Sequence, residues 1–174
     1  MGTGIHGERG DEPDGAFEKF FHADFPAVVA LLLAAGFGRD DALDAAADAM
    51  TQAYEKWSTI TSPGRWVRKT AIRIAIAMAA RQREATRRAI RGGWLARTSQ
   101  EDDRLAAVEH RQPLLQILDQ LPPQQRMMTA LRVDGYEPAE IAELLGTSPE
   151  TVRSHLRHAR RRIEGILDEG GEGR

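Results

Sequence analysis

The sequence contains no cysteine. Disulfides, thiolate nucleophiles and thiolate metal sites are therefore excluded, and a reducing, cytoplasmic setting fits. Aromatic residues make up only 6%, and β-branched residues are few, so material for a β-sheet core is scarce. No apolar run is long enough to span a bilayer; the longest, Ala27 to Ala35, falls well short. The opening stretch, MGTGIHGERGDEPDG, is polar and acidic and does not read as a signal peptide.

What is present in quantity is alanine, leucine and arginine, which favour helices. With 41% hydrophobic and 29% charged residues, the chain reads as an ordinary soluble globular protein. Its 174 residues suffice for one large domain or two small ones. The formal net charge of −2 hides a strong polarity. From Met1 to Trp57 four Lys/Arg face eleven Asp/Glu, a balance of −7. From Arg65 to Arg97 ten Lys/Arg face one acid, Glu84, a balance of +9. Segregation of this kind fits two sorts of partner, one meeting an acidic face and one a basic face, and equally fits helices that simply carry solvated charge.

The pattern predicts an all-α protein of two small helical domains joined by a flexible linker. Residues 1–14 read as a disordered lead, rich in glycine and acids. A first helix is expected from about Ala16 to Ala35, with a kink or break at Pro26, and Gly36 and Gly38 end it. A second helix is expected from about Asp40 to Trp57. Leu43, Ala46, Ala47, Met50, Tyr54 and Trp57 form its apolar stripe, and Asp41, Asp44, Asp48 and Glu55 lie on the other side. A loop, Ser58 to Gly64, precedes a third helix from about Arg65 to Ala89, whose apolar middle predicts a central position. Residues 15–91 thus form the first domain. Residues 92–112 read as a linker. The second domain spans 113–169, and 170–174 form a tail.

The most informative segment is EPAEIAELLGTSPETVRSHLRHARRRI, which reads as a helix-turn-helix. Ala139 to Leu145 is a short helix and Gly146 supplies the left-handed turn at its end. Ser148, Pro149 and Glu150 then give three independent start signals for a second helix. Ala142, Gly146 and Val152 sit where the motif needs a small residue, a turn and a buried plug. Val152, Leu156, Ala159 and Ile163 face inward. Arg153, Ser154, Arg157 and His158 face outward, with Arg160, Arg161 and Arg162 following. This is the layout of a recognition helix, in which N-terminal residues reach base edges and flanking basic residues hold phosphates. Arg153 and Arg157 lie one turn apart, and each can bind guanine bidentately. On the third helix Arg65, Lys69 and Arg73 repeat every four residues, a stripe able to track a phosphate backbone. Trp66 reads as core, with base stacking its competing role. Trp94 reads equally as an anchor of the linker on a partner or as a local contact.

These residues also resemble a known family. LDQLPPQQRMMTALRVDGYEPAEIAELLGTSPETVRSHLRHARRRI is similar to the C-terminal promoter-binding domain of sigma factors. The likeness rests on Leu121, Pro122, Arg126, Gly135, Glu140, Ile141, Ala142, Gly146, Thr151, Val152, Arg153 and Ser154. Residues 16–91 resemble the N-terminal domain of the extracytoplasmic-function (ECF) group. The resemblance implies that core RNA polymerase and promoter DNA are partners, and it adds an anti-sigma factor as a possible third. It implies polymerase docking through Asp44, Asp48 and Glu55. It implies capture of the −10 strand by Ser58 to Gly64 with Arg65, Trp66, Arg68, Lys69 and Arg73. The −35 element would be read by Thr151, Arg153, Ser154, Arg157, His158, Arg160 and Arg161. The chain departs from the family at three positions. Ala47 stands where glutamine is usual, Arg73 where asparagine is usual, and Glu137 where serine or threonine often opens the turn motif.

No enzyme signature is present: no phosphate-binding Gly-x-x-x-x-Gly-Lys loop, no His-Glu-x-x-His and no Gly-x-Ser-x-Gly. His155 and His158 are three residues apart but lack a third metal ligand. No cofactor, metal, membrane or small-molecule substrate is expected. Besides a sigma factor, two further readings fit the residues: a helix-turn-helix regulator that ignores polymerase, and a sigma mimic that acts by protein binding. The absence of a sustained heptad seam speaks against a dimeric regulator.

Overall fold

The computed structural model describes residues 13–91 and 113–171, and the expected linker 92–112, with Trp94, lies outside them. Most of the expected lead (1–12) and the last residues of the expected tail (172–174) also lie outside. The described residues form seven α-helices and no strand. They are α1 (Pro13–Ala34), α2 (Arg39–Glu55), α3 (Pro63–Arg91), α4 (Pro113–Asp119), α5 (Pro123–Val133), α6 (Pro138–Leu145) and α7 (Pro149–Gly171). A single 3-10 turn, Trp57–Thr59, follows α2.

Pro26 does not break α1, which is continuous through it. The ring removes one backbone donor, but Phe20, Phe21 and Phe25 before it and Val28, Leu31 and Leu32 after it pack into the core and hold the helix on both sides of that loss. α1 ends at Gly36, whose φ of +99° is open to glycine and strained for other residues. There the Phe37 amide donates to the Leu32 carbonyl at 3.1 Å, closing the last turn.

α2 buries Ala46 and Met50 of the expected stripe, but its inward face is shifted from the expected one. Its buried residues are Ala42, Ala45, Ala46, Ala49, Met50 and Ala53, whereas Leu43, Ala47 and Tyr54 are exposed. A face of alanines lets α2 approach α3 closely, and these two helices share the most extensive contact in the molecule. Inward from α3 come Val67, Ala71, Ile72 and Ala75, so its middle is central as expected, although Arg73, Ala77 and Ala80 face out.

A cluster of rings closes one end of this first group of helices. Phe17 lies 5.0 Å from Tyr54 and 5.2 Å from Trp57, and Phe20 lies 5.1 Å from Trp57. The helical spacing of Phe17, Phe20, Phe21 and Phe25 carries this signal in the sequence. It fixes the end of α2 and the 3-10 turn against α1.

The second group packs α5 and α6 on α7. The two groups touch directly, α1 against α5, and one apolar cluster runs from Val28 and Leu32 through to Leu131, Tyr136, Ile141 and Val152. A smaller cluster of Leu118, Leu121 and Ala159 takes in Ala34 from the end of α1.

Candidate nucleic-acid interface

The helix-turn-helix is built by local signals. The Glu137 amide donates to the Glu140 carboxylate at 2.9 Å, so a glutamate opens α6 with a capping box. Arg132 steadies the Glu137 side chain at 3.1 Å. Gly146 takes φ +64° at the end of α6, and the Thr147 amide donates to the Ala142 carbonyl at 3.0 Å. Ser148 caps α7 as its hydroxyl accepts from the Thr151 amide at 3.1 Å. Ala142 and Val152 are buried between the helices, with Ile141 beside them.

This leaves one side of α7 facing solvent. Thr151, Arg153, Arg157, His158, Arg160, Arg161 and Arg162 are exposed and Ser154 is half-buried. Arg160 pairs with Glu164 at 2.8 Å, whereas Arg153 and Arg157 have no acidic partner among the described residues. His155 is half-buried with its Nδ1 unpartnered. No group of three or more residues suited to a metal occurs among the described residues. On α2, Asp44, Asp48 and Glu55 are exposed at spacings that place them on one face.

The residues expected to capture a strand are found in a different setting. α3 begins at Pro63, and the 3-10 turn takes Ser58 and Thr59, so the expected loop is shorter than its sequence suggested. Trp66 is half-buried against the core, with the Lys56 ammonium 5.8 Å from its ring. Arg65 is ion-paired to Glu140 of α6, and its guanidinium lies 5.4 Å from the centre of the Tyr136 ring. Lys69 pairs with Glu143 at 2.9 Å. Arg68 is drawn inward, held by Asp24 of α1 at 3.0 Å and Asp134 at 3.4 Å. Arg73 is exposed at the end of the stripe.

The sequence reading missed the acidic counterpart of this stripe. Hydrogen bonding lowers the pKa of Glu140, first from the Glu137 amide and then from Arg65. Lys69 lowers that of Glu143 in the same way. Asp134 behaves oppositely. Burial raises its pKa against the pull of Arg68, and one of its oxygens has no partner. Burial also raises the Tyr136 hydroxyl, likewise unpartnered. Ser62, Arg65, Arg68, Asp134, Gly135 and Tyr136 line a cleft of about 290 Å³ at this junction. The three-residue spacing of Glu140 and Glu143 on a short helix was the available clue, but their partners lie 75 and 74 residues away.

Residues 111–163 match the family described as Sigma-70, region 4. The helix-turn-helix part of the chain is thus similar to sigma-70 region 4. Similarity in fold extends to nearly the whole chain. The sigma factor RpoE, solved in complex with the anti-sigma factor NepR from Bartonella quintana, matches with a TM-score of 0.60. It is 18% identical, and the match covers 88% of this chain and 97% of that one. CnrH, solved in complex with the cytosolic domain of CnrY, matches with a TM-score of 0.51 at 19% identity, covering 90% of each chain. No curated protein matches the sequence.

Proposed function

We propose that the chain is a sigma factor of the ECF group, which binds core RNA polymerase and directs it to promoters. The observation that carries this reading is the helix-turn-helix similar to region 4, with Arg153 and Arg157 on one exposed face and without an acidic partner among the described residues. A second basic surface on α3 supports it, since a regulator that reads duplex alone has no use for one. In this reading residues 15–91 dock on polymerase through Asp44, Asp48 and Glu55. They capture the −10 strand through Arg65, Lys69 and Arg73, with Arg68 and Trp66 shaping the surface. Residues 92–112 link them to residues 113–169, which read the −35 element through Thr151, Arg153, Ser154, Arg157, His158, Arg160 and Arg161. Residues 1–14 and 170–174 flank these units. The protein acts by binding, in the cytoplasm, and a protein of the anti-sigma kind is its natural antagonist.

The test is size-exclusion co-elution of the purified chain with bacterial core RNA polymerase, followed by run-off transcription on a promoter library. Stable co-elution with promoter-dependent transcripts is the expected result. Tight duplex binding by a dimer without co-elution identifies an ordinary regulator. Binding to neither identifies a sigma mimic.

A further inference from the structure

The two candidate DNA surfaces are not equally accessible. Arg153, Arg157 and His158 stand exposed on α7. On α3, by contrast, Arg65 is paired with Glu140, Lys69 with Glu143, and Arg68 with Asp134. These three acids come from the helix-turn-helix half, and Arg68 is also held, at shorter range, by Asp24 of α1. A basic row spaced by four residues on α3 thus faces an acidic pair spaced by three on α6. The helices themselves barely approach, so the contact is made by long side chains reaching across. Arg65 is further held over the Tyr136 ring.

We infer that the acidic face of α6 is an internal, exchangeable occupant of the strand-capture surface, so that the free chain presents its duplex reader and withholds its single-strand reader. This rests on the reading of α3 as a strand-binding surface. Carboxylates and phosphates use the same donors on arginine and lysine, so the two occupants exclude one another. Both main pairs are substantially exposed, with Arg65 at 55% and Glu143 at 68% side-chain exposure. Pairs of that kind are weak singly, and a nucleic acid held in place by polymerase can displace them. Strong attachment between the halves lies elsewhere, in the apolar contact of α1 with α5 and in the grip of Arg126 on the end of α1.

Salt separates this arrangement from a merely weak binding surface. An open basic stripe loses affinity steeply with salt, because each neutralised phosphate releases counterions. In the paired stripe, salt also loosens the carboxylates that must leave first. The two effects oppose, and the net slope is shallow.

The experiment measures anisotropy of a short labelled single-stranded oligonucleotide with the full chain, without polymerase, over a range of salt. The wild type is expected to bind weakly with a shallow salt slope. E140Q/E143Q is expected to bind about fivefold more tightly at low salt with a steeper slope, while binding to a duplex stays unchanged. Glutamine at 140 keeps an oxygen for the Glu137 amide, so α6 retains its cap. E143Q alone, outside that cap, is expected to give part of the gain. Adding R65A/K69A to E140Q/E143Q should abolish it. If E140Q/E143Q matches the wild type while R65A/K69A weakens both, the stripe binds strands but is not covered, and the inference falls. If R65A/K69A changes nothing in either background, the strand-binding reading of α3 falls and takes the inference with it.

Discussion

Arg126 shows how a motif residue can be recognised before its work is known. It closes the Leu-Pro-x-x-x-Arg pattern, and its guanidinium reaches back to the far end of α1. There it donates to the Ala34 carbonyl at 2.8 Å and the Leu33 carbonyl at 2.7 Å, while also pairing with Asp119. The last carbonyls of a helix lack partners within it, so one arginine both caps α1 and ties the halves together. Its side chain is only 14% exposed, so its loss strands polar groups away from water. Arg126→Ala is expected to cost about 1–3 kcal/mol in chemical denaturation. Arg126→Lys should recover only part of this, because an ammonium lacks the planar fork that serves three acceptors. The residue itself was legible in the sequence, but its two carbonyl partners on α1 lie more than ninety residues away, and no local pattern encodes that distance. Arg153 and Arg157 are the opposite case. Their proposed role rests on position along a capped helix, and neither has an acidic partner among the described residues. Either Arg→Ala change should cost about 1–3 kcal/mol in binding a cognate upstream element, read by duplex titration, with polymerase co-elution unaltered.

At the scale of elements, the boundaries and the turn chemistry were readable because they are local. Gly146, Ser148 and Pro149 end one helix and begin the next through backbone angles and hydrogen bonds made within a few residues. The facing of α2 was not, because the large residues were a poor guide. Leu43 and Tyr54 drew the expected stripe toward themselves, yet they are 36% and 51% exposed. The buried face is nearly all alanine, chosen by the closeness of α3 rather than by hydrophobic strength. That closeness gives a prediction. Ala46→Leu or Ala49→Leu forces extra methylenes into a contact with no room, at about 1–3 kcal/mol, whereas Leu43→Ala should lie within about 0.5 kcal/mol of wild type. Thermal melts of the variants decide it; equal losses at Leu43 and Ala49 would mean that α2 is rotated from the face described.

At the scale of the molecule, order along the chain and segregation of charge were both visible in advance, but contact between the halves was not. A polar stretch between two helical groups reads as freedom to separate, and nothing local says that Glu140 and Glu143 meet Arg65 and Lys69. The acidic face of α2 stays outside that contact. Asp44, Asp48 and Glu55 form no ion pair among the described residues. In the proposed function this patch of one sign meets an oppositely charged partner, where complementarity sets the rate and reversal of sign is strongly unfavourable. Asp44→Arg with Asp48→Arg is therefore expected to abolish co-elution with core polymerase, a loss on the order of several kcal/mol. Both side chains are exposed, so the fold and the melting temperature should be unaffected. Duplex binding should also be intact, because α7 lies in the other half. Arg153→Ala with Arg157→Ala should give the mirror image. If both double variants lost polymerase and DNA together, the two surfaces would not be separate, and the division of labour argued from charge would be wrong.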